Sequence, residues 1–193
     1  MVAVNGGRAE LLPGTWSATI EWLVRRLAPQ LPRLAFVEVR YRVRSWKRLE
    51  QCAEDAREGM AAAGDVPIAL LSFSMGGAVA TMVAEDPRVR AVVGLAPWLP
   101  DELDVGPLAD RRLTVVHGSL DRNLAWLPGV SPELSRRGFE RALAAGATGD
   151  YHLVRGGFHA AAVRRRDRLI ALPRAAAFER TIAQALAAFA ANP

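Results

Sequence analysis

The chain has 193 residues, 51% of them hydrophobic and 23% charged, with a formal net charge of +5 and a pI near 10.5. That length and balance fit one soluble globular domain with a substantial core and exclude a disordered or fibrous chain. No apolar run approaches the roughly 20 residues that a bilayer span needs, and the start has no basic region or long apolar segment, so a cytoplasmic protein without a membrane partner is expected.

In chain order, residues 2–4 are a short apolar start, and Asn5, Gly6 and Gly7 read as a strand end and a glycine turn. Trp16, Ile20, Leu23, Val24 and Leu27 recur at helical spacing and predict a helix over 16–28, ended by Pro29 and Pro32. Residues 34–43 alternate and are rich in β-formers, which predicts a strand. Ser45 opens a helix that runs to about Ala63, closed by Gly64. Residues 68–71 are wholly apolar after Pro67 and predict a strand buried on both faces, and 78–85 suit a helix. Strands are expected over 89–95, 113–117 and 151–154. Ser131 and Pro132 open a helix to about Ala145, and an alanine-rich helix covers 173–191. Strands alternating with helices imply an α/β fold, a three-layer sandwich around a mostly parallel sheet, in a single domain spanning 1–193. The gap between residues 95 and 113 is too short for a large cap.

The positive charge comes almost wholly from arginine, since Lys47 is the only lysine. The densest clusters, 40–44 and 164–166, are short and fit no nucleic-acid module, so they read as solvated faces and no nucleic-acid partner is expected. Cys52 is the only cysteine, which excludes an intrachain disulfide and a cysteine metal cluster; it reads as a small buried residue.

The chain is organised around residues 67–85, where a buried strand turns into a helix through Ser72-Phe73-Ser74-Met75-Gly76-Gly77. Ser74 stands at the tip of that bend. A serine hydroxyl is a poor nucleophile; it needs exposure, a base beside it and donors for a developing oxyanion. The bend exposes the hydroxyl, and the N–H of Met75 points to the same space. Small residues two before and two after the serine let strand and helix approach; Gly76 meets that need and Ser72 meets it less fully. Function in an open α/β sheet gathers at the carboxyl ends of strands, and two further candidates fall there. Asp121 follows the 113–117 strand and His159 follows the 151–154 strand. His159 suits a general base toward Ser74, and Asp121 suits a partner that orients the imidazole.

The bend resembles the nucleophile elbow of the α/β-hydrolases, with serine in place of the usual first glycine. His117-Gly-Ser-Leu-Asp121 and Gly156-Gly-Phe-His159 resemble the acid and histidine segments of that superfamily, in the order Ser, Asp, His. Together with Leu95-Ala-Pro-Trp98 they resemble a compact, dienelactone-hydrolase-like bacterial group. The resemblance implies an α/β-hydrolase fold with Ser74, Asp121 and His159 as catalytic residues and no metal or cofactor. It implies an oxyanion hole from the N–H groups of Gly7 and Met75, Gly6 allowing close approach. Asn5 stands where the family often has histidine. The family's usual first two strands are absent, so the chain is a minimal version or its start lies further upstream. Implied activity is cleavage of a small-molecule carboxylic ester or thioester, with a homodimer as a possible assembly.

Position separates the rival residues. Ser119 lies in the acid loop, Asp150 precedes a strand at the opposite edge, and Asp101 and Asp104 follow the 89–95 strand, so Ser74 and Asp121 are preferred. His117 is expected to shape its turn, and His152 to be structural. Trp98 either walls the acyl pocket or packs in the core, and Phe158 beside His159 is open in the same way. The apolar loop 124–130 either covers the site as a flap or packs on the next helix. The alternative function is a hydrolase scaffold without catalysis, acting as a binding protein, motivated by Ser72 and Asn5.

Overall fold

The computed structural model of the chain describes residues 1–8, 10–14, 16–122 and 129–193, with the backbone alone at residues 12 and 13. Its strands are β1 (Val2–Val4), β2 (Leu12–Pro13), β3 (Val37–Glu38), β4 (Val43–Arg44), β5 (Ile68–Phe73), β6 (Val89–Leu95), β7 (Arg112–Gly118), β8 (Thr148–Val154), β9 (Ala162–Arg165) and β10 (Arg168–Ala171). Its helices are α1 (Ala18–Leu27), α2 (Leu49–Ala62), α3 (Gly76–Val83), α4 (Pro132–Ala144) and α5 (Ala175–Ala191).

Six strands form one parallel sheet in the order β3-β1-β5-β6-β7-β8. Side chains alternate across it because successive strand residues point to opposite faces. Val2, Val4, Ile68, Leu70, Val92, Leu113 and Val115 pack against α2, α3 and α4. Ala3, Ala69, Leu71, Val93, Leu95 and Val116 pack against α1 and α5. Two cores on two faces make the three-layer α/β/α sandwich, with no large cap domain. No helix among the described residues is long and apolar enough to cross a membrane.

The order of the strands places the site. From β1 the chain moves outward to β3, then returns to lay β5 on the other side of β1 and continues through β6, β7 and β8. The direction of winding therefore reverses between β1 and β5, and in open α/β sheets ligands gather at the carboxyl ends of the strands at such a point. Asn5 leaves β1 there and Ser74 leaves β5 there.

Three regions depart from the expected elements. Only Val37–Glu38 of the expected 34–43 strand joins the sheet. Beyond it the backbone is drawn aside: Val39 O accepts from Asn5 Nδ2 at 2.6 Å, and Arg42 N donates to Asp55 Oδ2 at 2.7 Å. Val43–Arg44 then pairs antiparallel with Leu12–Pro13. Second, β9 and β10 form an antiparallel hairpin where no element was expected. It is anchored to α1 by Thr19, whose Oγ1 donates to Ala162 O at 3.1 Å, and by an Arg164–Glu21 ion pair. Third, β8 begins at Thr148, so Asp150 lies within a strand rather than before one.

Candidate active site

The elbow is built by close backbone contact. Ser74 has φ 55°, in the left-handed region that costs a non-glycine residue about 1–2 kcal/mol. Its surroundings hold it there: Ser74 N donates to Leu95 O at 3.1 Å, and Ser74 O accepts from Gly77 N and Trp98 N, each at 2.8 Å. A methyl group on Gly76 would fall 2.7 Å from Asn5 O and 2.8 Å from Val4 O, so only glycine lets α3 start against the end of β1. Ser72, the departure from the usual glycine, is fully buried and its hydroxyl turns toward Val93 O at 3.5 Å.

The turn after β1 lies on this elbow. A methyl group on Gly6 would meet Phe73 at 3.0 Å and Ser74 Cβ at 3.3 Å, and one on Gly7 would collide with Met75 Sδ. Asn5 is fully buried. Its Oδ1 accepts from Ser17 N at 2.9 Å, its Nδ2 donates to Val39 O, and its own carbonyl accepts from Tyr41 OH at 3.2 Å. It fastens the end of β1 to α1 and to the 39–41 segment. That is a hydrogen-bonding task asparagine performs well, since its amide both donates and accepts.

Two loops at the other side are strapped together. Ser119 N donates to Val154 O at 3.0 Å, Leu120 N to Gly157 O at 2.8 Å, and Gly156 N to Ser119 Oγ at 3.0 Å. Gly118 fits because a side chain there would collide with Gly157 O and Phe158 O. These bonds hold the loop after β7 against the loop after β8, and so hold Asp121 against His159.

The result is one chain of hydrogen bonds. His159 Nε2 lies 3.0 Å from Ser74 Oγ, and His159 Nδ1 lies 2.7 Å from Asp121 Oδ2. Asp121 is 1% exposed. Burial pushes its carboxyl up, but hydrogen bonds from His117 and His159 outweigh that and hold it below its ordinary value. It therefore remains a carboxylate acceptor beside the imidazole. With Nδ1–H directed at Asp121, Nε2 of His159 faces the serine hydroxyl as an acceptor. Such a chain can take a proton from Ser74 and return it to a leaving group. The ring of Phe73 packs at 5.0 Å from the His159 ring and limits its rotation.

Ser74, Asp121 and His159 are thus brought together from three loops, with Gly6, Gly7 and Met75 at the elbow. Trp98 reaches it through its backbone N–H, while its indole packs 6.3 Å from Trp46 beside the α2 and α3 core. Phe158 is exposed next to His159. The rivals are engaged elsewhere. Asp101 pairs with Arg137, Asp104 accepts from Gly106 N, and Asp150 pairs with Arg112. Cys52 is buried, which raises its thiol, and donates to Val43 O. His152 is exposed on β8. Most of the expected flap, 124–128, lies outside the described residues. What the sequence left undervalued is His117: its Nε2 lies 2.9 Å from Asp121 Oδ2, on the same oxygen that His159 uses. Its position four residues before the acid was the signal.

No family model and no curated protein sequence matches the chain. Solved structures do. An α/β serine hydrolase homologue from Coxiella burnetii is 16% identical with a TM-score of 0.68, over 95% of this chain and 83% of that one. The chain has the α/β-hydrolase fold. A monoacylglycerol lipase from Paleococcus ferrophilus is 14% identical with a TM-score of 0.63, over 97% of this chain and 93% of that one. An uncharacterised protein from Bacillus cereus is 16% identical with a TM-score of 0.66 over 96% of this chain, which spans 57% of that longer protein. At these identities the likeness to α/β-hydrolases is one of fold.

Proposed function

We propose that the chain is a serine hydrolase that cleaves a carboxylic ester or thioester through an acyl-enzyme on Ser74. The observation that carries this reading is the unbroken hydrogen-bond chain from Ser74 Oγ through His159 to the buried Asp121 carboxylate. Ser74 Oγ attacks the carbonyl carbon while His159 Nε2 takes its proton. The oxyanion is held by the N–H groups of Met75 and Gly7, with Gly6 allowing close approach. The C–O or C–S bond breaks as His159 returns the proton to the leaving alcohol or thiol. Water then repeats the sequence, adding to the acyl carbon as His159 accepts its proton, and the acid leaves as Ser74 is reprotonated. Phe158 borders the acyl group, Trp98 supports the elbow through its backbone N–H, and the absence of a large cap favours short or accessible acyl chains.

Ser72 and Asn5 motivated a non-catalytic scaffold, but both side chains make hydrogen bonds inside the protein and leave the geometry at Ser74 undisturbed.

The test is a fluorophosphonate probe with the labelled residue mapped by mass spectrometry, followed by turnover of short- and long-chain aryl esters. Label on Ser74 is expected, lost in Ser74→Ala and reduced at least about 10³-fold in His159→Ala. Acetyl and butyryl esters are expected to turn over faster than long-chain ones. A folded wild-type protein that takes no label would sink the proposal.

A further inference from the structure

Asp121 is held by more than the histidine that uses it. His117 Nε2 lies 2.9 Å from Asp121 Oδ2 and 2.9 Å from Val130 O. Both neighbours are acceptors, so Nε2 must carry the proton and donate to both. Val130 N in turn donates to Asp121 Oδ1 at 3.2 Å. Carboxylate, Val130 peptide and His117 imidazole therefore close a ring of hydrogen bonds. The ring needs the backbone to pass very near the acid: a methyl group on Gly129 would collide with Asp121 Oδ1 and fall 2.6 Å from Arg122 O.

The other nitrogen of His117 is the telling one. Nδ1 is buried and has no hydrogen-bond partner among the described residues. The ring is fully buried and stacks on Tyr151, with centroids 6.4 Å apart and planes 12° apart. A phenylalanine would fill that slot without leaving a buried nitrogen unpaired. An imidazole in such a place is accounted for by what its other nitrogen does.

We propose that His117, Gly129 and Val130 form an acid-positioning clamp. It fixes the rotation of the Asp121 carboxylate so that Oδ2 faces His159, and His117 is a positioning residue acting through Asp121. This rests on the reading of Ser74 as the nucleophile. A carboxylate free to rotate would offer His159 Nδ1 a poorly placed acceptor. The imidazole would then leave the line between Ser74 and Asp121, and displacements of that kind cost on the order of 100-fold in rate. The clamp also ties the site to the start of α4, because Ser131, next to Val130, caps that helix by accepting from Leu134 N at 3.2 Å.

The test compares His117→Phe, which keeps an aromatic ring against Tyr151 but removes the donor, with His117→Gln, whose side-chain amide restores a donor near the Nε2 position. Gly129→Ala moves the Val130 peptide instead. Folding is checked by thermal unfolding. Expected for His117→Phe is a fall in Ser74 labelling rate, and in kcat for a short aryl ester, of roughly 100-fold with KM within about two-fold. His117→Gln is expected to recover most of that loss, and Gly129→Ala to resemble His117→Phe. The spectroscopic readout is the proton between His159 Nδ1 and Asp121, observed downfield in the NMR spectrum. It should shift upfield or broaden in His117→Phe and return in His117→Gln. A folded His117→Phe that labels as fast as wild type overturns the clamp, as does a His117→Gln as slow as His117→Phe. If wild type itself takes no label, the hydrolase reading has failed while the clamp is still judged, by the NMR resonance alone.

Discussion

Two aspartates in this protein are almost equally buried, Asp55 at 5% and Asp121 at 1% exposure, and they are held in opposite ways. Asp55, on α2, meets a permanent cation: Arg42 Nε lies 2.5 Å from its Oδ1, and Arg42 N donates to its Oδ2. Its charge is compensated, and the pair pins the 39–44 segment against α2. Asp121 meets two imidazoles and a backbone N–H, and among the described residues no guanidinium or ammonium pairs with it. Its charge is fixed in place but not cancelled. The difference teaches what a working carboxylate requires. On the proposed reading, an acid that stabilises a proton arriving on His159 needs donors that orient it and leave its field available. A structural acid is best served by the cation that uses that field up.

The strongest way to break this comparison is to neutralise each in turn. Asp121→Asn is expected to slow Ser74 labelling by about 10⁴-fold, because the amide presents a donor where two imidazoles need an acceptor. Asp55→Asn is expected to leave labelling close to wild type and to lower stability in urea by about 1–3 kcal/mol, from the loss of a buried charge-assisted bond. Comparable slowing in both variants would erase the distinction between the two acids.

Acid sharpens it. The Asp121 carboxyl is held below its ordinary value in the folded protein, where the unfolded chain has about 3.9. A depressed folded value means that its stabilisation is fully present above the unfolded value and is lost as pH falls through the folded one. Below about pH 5 the stability gap between wild type and Asp121→Asn should close as acid protonates the carboxylate. Urea titrations at a series of pH values read this directly, and a gap that widens in acid would contradict it.

The smallest effect belongs to a third aspartate. Asp150 pairs with Arg112 at 2.9 Å, but both side chains are 54% exposed. Asp150→Asn should shift stability by no more than about 0.5 kcal/mol, with the difference vanishing in high salt. A larger cost would mean that exposure is a poor guide to which carboxylates matter here.

Much of the frame was legible because buried parallel strands are apolar on both faces. The run at β5 and the apolar β6 announce themselves, and the expected limits of β6 agree with the observed Val89–Leu95. Ser131 and Pro132 announced α4 because a capping hydroxyl and a proline at the first position are local needs of a helix start. The β9–β10 hairpin was not legible. Its strands are arginine-rich, and its turn passes through Arg166 at φ 52° without a glycine or an asparagine to mark it. The false extension of β3 has a similar cause. Residues 39–42 have strand-forming side chains, but Asn5 and Asp55 claim their backbone groups.

By itself the sequence determined the α/β alternation, the strand-to-helix bend at Ser74, and the strand ends from which Asp121 and His159 emerge. These follow from local patterns: apolar runs, caps, and small residues where backbones must touch. Only the tertiary structure decided that Ser74, His159 and Asp121 share one line of hydrogen bonds, since they lie 85 and 38 residues apart. It also decided that His117 and Val130 close on the acid from behind. The physical reason is that hydrogen-bond geometry depends on tenths of an ångström between separate loops. The straps between residues 118–120 and 154–157 set those distances, and no periodicity in the sequence encodes them.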